Sequence, residues 1–341
     1  MVVNFQDLMH IEVSVPDADK AYQILHNVFG AVKVQEEFAG FLDGEYNKVI
    51  HVGLGDVVLQ FVEPLVEESS WGTQLKTKGP GVHNLTFNVE SADDAASEME
   101  RLGGIKPLFT FDLEWKNMVP AELLTTEVGR VYMMDAMDKL GFHLEFGDNP
   151  LKEEAQSLYP QTRYATGHDE LIGSVSPMMH IELVTPDLEK TYEFLHNVFG
   201  SEKVEIEFAN FLDNPASRCI HVNLSNVVLQ YIQPMIKIKN EFGSWYNLLE
   251  KNGCYVHNIT FVVDDLDDVV EKFKKEGIEP LFTFPLQWEK LNENIQSKMK
   301  PVHMMNTLDQ LGFHMEFGEI PTEEERKAFS ELLYIDLIQE E

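Results

Sequence analysis

Histidine, glutamine and glutamate recur along this chain in an order that could hold a divalent metal ion. His10, Gln60, His83 and Glu145 are followed by His180, Gln230, His257 and Glu316, the same residue types in the same order. Each set offers two imidazoles, an amide oxygen and a carboxylate. Such a mixed N/O set suits Mn, Fe, Co, Ni or Zn and leaves positions open for water or substrate. Glu145 sits between Leu144 and Phe146, and a carboxylate in an otherwise apolar strand needs a cation or strong hydrogen bonds. Any one of these histidines is better explained as a satisfied core residue. The whole set, present twice, is better explained by a metal.

Other residues recur with them. Ten of the twelve histidines fall into the pairs 10/180, 26/196, 51/221, 83/257 and 143/314, although the two copies differ at most other positions. His51 and His221 each lie nine residues before the glutamine, on the preceding strand. A histidine there could act as the base that removes a proton α to a metal-chelated carbonyl, giving an enolate or enediolate. Glu145 or Glu316, if displaced from the metal, could return the proton from the opposite side, so His51, His221, Glu145 and Glu316 are the catalytic candidates. The alternative is a packed strand histidine. His143 and His314 share the face of the glutamates two residues on, and could stand behind the ligands or touch substrate. Tyr132 and its counterpart His303 are placed with them; if they act as acids, the two sites differ in chemistry. His26 and His196 sit near helix C-termini, where an imidazolium complements the dipole, and read as structural. Trp71/Trp245 and Trp115/Trp288 recur too, with core or interface packing as their default role.

The elements that must position these residues are legible from a duplication. Met9-His10-Ile11-Glu12 returns as Met179-His180-Ile181-Glu182, and Leu25–Gly30 returns unchanged at 195–200. Val57-Val58-Leu59-Gln60, Val82-His83-Asn84, Pro107–Phe111 and the Leu-Gly-Phe-His run at 140–143 all have later partners, trailing by 170 to 174 residues. Copies this long are domains, not solenoid repeats. The division expected is a first domain at 1–148, a linker at 149–177, a second domain at 178–320 and a helical tail at 321–341. A short helix is expected near 152–158 inside the linker. Within the first copy, His10–Val15 alternates as a half-buried strand. A helix follows, opened by Asp17 and stopped by Gly30. Extended segments come next at 34–42, 47–54 and 57–63. The second half of the copy offers a strand at 83–89, a helix at 91–102, and strands near 105–111, 130–135 and 142–146. Residues 107–131 make a longer excursion that could act as a lid. The fold class expected is α+β, with four βαβββ modules along the chain.

Composition bounds the partners. With 58 acidic and 26 basic residues, the net charge of −32 repels polyanions, which argues against nucleic acid and anionic membranes. Cys219 and Cys254 cannot form a disulfide scaffold and fit a reducing compartment. No apolar run approaches the ~18 residues of a membrane span, and the opening MVVNFQDLMH lacks the features of a secretion signal. The expectation is a soluble, cytoplasmic protein that takes a small-molecule substrate, with a homodimer left open. No phosphate-gripping glycine loop is evident, so no nucleotide cofactor is expected.

These motifs resemble the vicinal oxygen chelate superfamily, which includes glyoxalase I, extradiol dioxygenases and methylmalonyl-CoA epimerase. The resemblance covers both copies and implies that the four βαβββ modules pair into two tandem cup-shaped vicinal-oxygen-chelate domains, each with a divalent metal held by residues of strands one, four, five and eight. Residue by residue, that means His10, Gln60, His83 and Glu145 in one site and His180, Gln230, His257 and Glu316 in the other. The nearest likeness is to the epimerase branch, through the run Val57–Pro64 followed by Gly81-Val82-His83-Asn84. His51 and His221 then fall near a glutamate that serves such epimerases as a base. The leading expectation is a metal-dependent isomerase or epimerase, or a lyase, acting on a small hydroxyketone, cyclitol or phenolic ketone. The acidic surface disfavours a coenzyme A ester. The runner-up is an extradiol-type dioxygenase using Fe(II) or Mn(II). The third reading is a metal-independent protein that sequesters a ligand.

Overall fold

Alternation along Leu8–Ser14 (β1) sets the plan of the whole sheet. Ile11 and Val13 are fully buried on one side of the strand, and His10, Glu12 and Ser14 are buried on the other. A strand buried on both faces with polar groups on one of them must build a polar interior. The computed structural model describes residues 2–34, 43–117, 120–148, 150–152, 172–204, 212–236, 244–284 and 300–319.

After β1 comes α1 (Ala18–Phe29). Asp17 caps its N-terminus by accepting from Lys20 N, and Gly30, at φ 77°, closes it in the left-handed conformation. Its apolar stripe of Ala21, Ile24, Leu25 and Val28 is buried. Then follow β2 (Val32–Lys33), β3 (Asn47–Leu54), β4 (Val57–Pro64) and a helix, α2 (Ser70–Thr77). The second module holds β5 (Gly81–Val89), α3 (Ala92–Gly103), β6 (Pro107–Leu113), β7 (Gly129–Met134), the short α4 (Met137–Leu140) and β8 (His143–Asp148). The eight strands form one sheet in the order β2-β3-β4-β1-β5-β8-β7-β6. The modules meet where β1 runs antiparallel to β5, while β4 and β8 lie parallel to those two strands.

The second copy repeats this with β9 (His180–Val184), α5 (Leu188–Phe199), β10 (Ser217–Leu224), β11 (Val227–Pro234), α6 (Ser244–Asn252), β12 (Tyr255–Val263), α7 (Leu266–Lys275), β13 (Pro280–Phe284), β14 (Val302–Met305), α8 (Leu308–Leu311) and β15 (His314–Glu319). Its strand order is β10-β11-β9-β12-β15-β14-β13. Each sheet draws its strands from one copy, so the fold is a mixed α+β protein with two sheets.

The outer faces share a core. Phe29 packs on Phe273 and Phe317 across the duplication, and Phe5 stacks on Phe199. Reciprocal clamps fix the halves: Asp56 Oδ1 accepts from Met178 N at 2.7 Å, and Asn226 Oδ1 accepts from Leu8 N at 2.8 Å. The recurring Leu-Gly-Phe-His run is explained here by packing. Gly141 has φ 91°, and a Cβ on it would stand 2.8 Å from Tyr255 N in the other half; Gly312 meets Gly81 N at 2.9 Å in the same way.

Several expectations change. Of the segment expected to be extended over 34–42, only Val34 is described, its N–H donating to His51 O just beyond the pairing of Val32–Lys33, and residues 35–42 lie outside the described residues. So do the linker beyond 152, up to 171, with the body of its expected helix, the tail, and Trp288. The excursion over 107–131 begins and ends as a hairpin, with β6 on the outer edge of the sheet. Trp115 packs with Leu124 and Leu151, and Thr125 N donates to Pro150 O, so the excursion is pinned by its own small cluster. Helices α2 and α6 are additions that the sequence reading did not contain.

Candidate functional site

Strand register assembles the site. Across four neighbouring pairings, His51, Gln60, Glu12, Asn84 and His143 stand in one row. His10, Thr86, Glu145 and Met133 form the next. Residues opposite one another in a ladder share a face, so both rows look to the same side. A register shift between the partners of Glu12 and Val13 makes His83 an extra residue in β5. Such a bulge re-aims a side chain, and His83 reaches Glu12 and Trp71 rather than the outer core. The second copy reproduces all of this: His221, Gln230, Glu182, Asn258 and His314 in one row, His180, Thr260, Glu316 and Met304 in the next, and His257 in the bulge.

The side chains are linked pairwise. Gln60 Nε2 donates to His51 Nε2 at 2.6 Å, as Gln230 Nε2 does to His221 Nε2 at 2.7 Å. His10 Nε2 lies 2.9 Å from Thr86 Oγ1, and His180 Nε2 3.0 Å from Thr260 Oγ1. His83 Nε2 is 2.7 Å from Ser70 Oγ, and its Nδ1 faces Asn84 Oδ1 at 2.8 Å and Glu12 Oε1 at 3.1 Å. His257 Nδ1 is 2.7 Å from Glu182 Oε1. Trp71 and Trp245 donate their indole N–H groups to Glu12 and Glu182. The rings of His143 and His314 stand 5.0 Å from those of His83 and His257.

Burial sets the electrostatics. It pushes His51 down to about 4 and His221 to about 3, so both imidazoles are neutral at neutral pH. Burial, with the neighbouring bulge histidine adding to it, holds His143 and His314 near 3, and burial alone brings His257 to about 3. His10 and His180 are lowered by burial first, then by His51 and His221. The carboxylates move the other way. Burial and then the charge of Glu12 raise Glu145, against a hydrogen bond from Thr86. Burial raises Glu182 to about 8, and burial with Glu182 raises Glu316 to about 8. Two carboxylates enclosed together with neutral imidazoles call for a proton or a cation.

The residues present fit a divalent ion by their chemistry and by the polar atoms left over. Gln60 Oε1, Glu12 Oε2 and His257 Nε2 are buried and have no hydrogen-bond partner among the described residues. As they stand, no three His, Cys, Asp or Glu side chains among the described residues form a ready cage. The hydrogen bonds at His10 and His83 would have to open for those nitrogens to ligate.

The structure thus brings His10, Gln60, His83 and Glu145 to one face, and likewise His180, Gln230, His257 and Glu316, each set within its own copy. His51, His221, His143 and His314 join them. Tyr132 and His303 do not. Tyr132 pairs with Phe146 and His303 with Phe317, one residue out of step with the glutamates, so Met133 and Met304 take the site face. Tyr132 instead donates to Asp93 at 2.6 Å, and His303 bonds Thr283. His26 and His196 hold the carbonyls of Ala31 and Ser201 beyond their helices. Glu12, Glu182, Asn84, Asn258, Thr86, Thr260 and Ser70 are site residues that the sequence reading missed. For the two glutamates a signal existed, in Met-His-Ile-Glu standing twice with its Glu in phase with its His.

Comparison with known proteins agrees with this architecture. Residues 178–291 match the model of the glyoxalase/bleomycin resistance protein/dioxygenase superfamily. Mitochondrial methylmalonyl-CoA epimerase of Homo sapiens is 29% identical over 101 residues, which span 29% of this chain and 56% of that protein. The match therefore covers little more than half of the epimerase's length. A triple mutant of 4-hydroxymandelate synthase from Streptomyces coelicolor superposes with a TM-score of 0.59 at 15% identity, over 93% of both chains. The Mn(II)-bound glyoxalase from Novosphingobium aromaticivorans gives 0.51 at 12% identity, over 93% of this chain and 82% of that one. At such identities the two structures speak for the fold. The second copy thus matches the model of the glyoxalase/bleomycin resistance protein/dioxygenase superfamily, and the duplicated plan, with sheets of eight and seven strands, has the fold of these two structures.

Proposed function

We propose that this protein is a metal-dependent isomerase or epimerase that moves a proton α to a carbonyl in a small hydroxyketone, cyclitol or phenolic ketone. The observation that carries the reading is the buried donor row itself, with Gln60 Oε1 and Glu12 Oε2 unsatisfied in one half and His257 Nε2 in the other. His10, Gln60, His83 and Glu145 would hold one ion, and His180, Gln230, His257 and Glu316 a second. A divalent cation there would supply Lewis-acid polarisation of the substrate carbonyl.

The chain's own groups account for the proton. His51 and His221 are neutral and present Nε2 as the acceptor; the amide N–H of Gln60 or Gln230 occupies it now and must yield to the substrate's C–H. Glu145 or Glu316, once displaced from the ion by substrate, would return the proton from the opposite side. The apolar neighbours of the glutamines on their own face, Val58, Val62, Val228 and Ile232, are buried and keep water from the reacting carbon. The likeness to an epimerase sequence supports this branch.

The test is deuterium incorporation from heavy water into candidate hydroxyketones by metal-loaded protein, with oxygen followed in parallel. Exchange without oxygen uptake is expected. His51→Ala together with His221→Ala should abolish exchange while metal content stays unchanged. Activity that persists without metal would overturn the mechanism, oxygen consumption with catechols would favour a dioxygenase, and tight ligand binding with no turnover would favour sequestration.

A further inference from the structure

Each half buries a second carboxylate beside the proposed ligands. Glu12 and Glu182 are almost wholly enclosed, and in both the same oxygen, Oε1, is held from two sides. One side is the indole N–H of Trp71 or Trp245, from the helix after β4 or β11. The other is the bulge histidine, with His83 Nδ1 at 3.1 Å and His257 Nδ1 at 2.7 Å. An indole nitrogen only donates, so Oε1 accepts from it; Glu182 Oε1 also accepts Nδ1–H from His257, whose Nδ1 lies 3.2 Å from the Trp245 indole nitrogen, whereas His83 Nδ1–H is shared between Asn84 Oδ1 at 2.8 Å and Glu12 Oε1. A neutral histidine with its proton on Nδ1 keeps its lone pair on Nε2. In the second half that Nε2 is buried with no hydrogen-bond partner among the described residues.

We propose that Glu12 and Glu182 are positioning residues, each locking through a Trp–Glu–His chain the tautomer and ring orientation in which His83 or His257 offers Nε2 to a metal ion. The proposal rests on the metal-binding reading above and adds to it the group that makes one ligand competent. The arrangement stands twice, in copies that have diverged around it. Carboxylates that hold the far nitrogen of a ligating histidine typically govern metal affinity by about 10–100-fold.

The experiment uses the full chain. Long-range proton–nitrogen correlation spectra of the metal-free protein report which nitrogen of each histidine carries the proton, and calorimetric titration with Mn(II) reports affinity. The wild type should show both bulge histidines as the Nδ1–H form. Glu182→Leu should move His257 toward the Nε2–H form and weaken Mn(II) binding in that half by about 10–100-fold. Glu182→Gln, whose amide oxygen still accepts, should restore the tautomer and part of the affinity; Glu12→Leu should shift His83 in the same direction but less, because Asn84 Oδ1 still accepts from its Nδ1–H. A carboxylate with a purely structural role would lower the melting temperature and leave the tautomer alone. If Glu182→Leu does not fold, Trp245→Phe removes one arm of the clamp and is read by the same two signals. An unchanged tautomer with unchanged affinity overturns the proposal. A wild type that takes up no Mn(II) overturns the metal reading instead, and the tautomer shift in metal-free protein separates that failure from failure of the clamp.

Discussion

The two halves carry the same rows of side chains and differ in which buried polar atoms lack a partner among the described residues, Gln60 Oε1 and Glu12 Oε2 in the first and His257 Nε2 in the second. His83 Nε2 is 2.7 Å from Ser70 Oγ, whereas His257 Nε2 has no hydrogen-bond partner among the described residues. A buried acceptor left unsatisfied costs about 1–3 kcal/mol, and at the bulge histidine only the second half carries that cost. Two further exchanges lie nearby: Ser14, which donates to Trp71 O, is matched by Val184, and Val49 on β3 is matched by Cys219 on β10. Duplication preserved the rows themselves, and what differs is the partner of the bulge histidine's Nε2. At that nitrogen the second half is open to a ligand and the first is latched by a hydroxyl.

The largest effect should come from deleting one bulge histidine at a time. His257→Ala should take bound Mn(II) from about two ions per chain to about one, and so should His83→Ala. In the wild type the titration should show two phases, the tighter one being lost with His257. A tighter phase that survives His257→Ala would reverse the ranking of the halves.

A second test uses pH in metal-free protein. Glu182 and Glu316 rise from 4.5 to about 8 on folding, so the folded state binds more protons than the unfolded one across that interval. Their contribution is full below 4.5 and is lost as pH rises toward 8. His221, His257 and His314 fall from 6.5 to about 3. Their contribution is full above 6.5 and is lost as pH drops toward 3. Thermal melts should therefore peak between those reference values and decline on both sides, by at most about 1.4 kcal/mol per group and pH unit. Added Mn(II) should flatten the alkaline limb, because a cation replaces the protons on the carboxylates. A chelated protein with no alkaline decline would mean that these carboxylates do not face each other as described.

Much of this was legible without coordinates because strands impose a period of two. The polar face of His10, Glu12 and Ser14, the capped helix from Asp17 to Gly30, and the donor order in both copies all follow from local pattern. What stayed hidden depends on neighbours that only folding supplies. Tyr132 and His303 were assigned to the site because the register between β7 and β8 is invisible in one strand alone, and a slip of one residue turns a side chain to the opposite face. The bulge at His83 is equally silent in sequence, yet it decides that Glu12 and His83 meet. Helix α2, with the sequence Ser-Trp-Gly-Thr-Gln-Leu-Lys-Thr, has too few apolar residues to show a helical stripe, so the role of Trp71 as a donor to Glu12 could not be read. The Leu-Gly-Phe-His run misled in the other direction: its glycine recurs for the contact between halves, while its histidine recurs for the site.

The smallest expected effect bears most directly on the latch. With His83 Nδ1 turned to Asn84 and Glu12, the hydroxyl of Ser70 donates to Nε2, and an ion can take that lone pair only after the bond is broken. A neutral hydrogen bond of this kind contributes about 0.5–1.5 kcal/mol net. Ser70→Ala should therefore tighten the weaker Mn(II) phase by about 2- to 10-fold and leave the tighter phase where it is. In the metal-free protein the same change should lower the melting temperature, since His83 then shares the unsatisfied state of His257. The two phases would draw together into one, and the halves would become alike at the atom where they now differ. If the weaker phase does not move, the hydroxyl is not what separates them, and the exchange of Val49 for Cys219 becomes the difference to test.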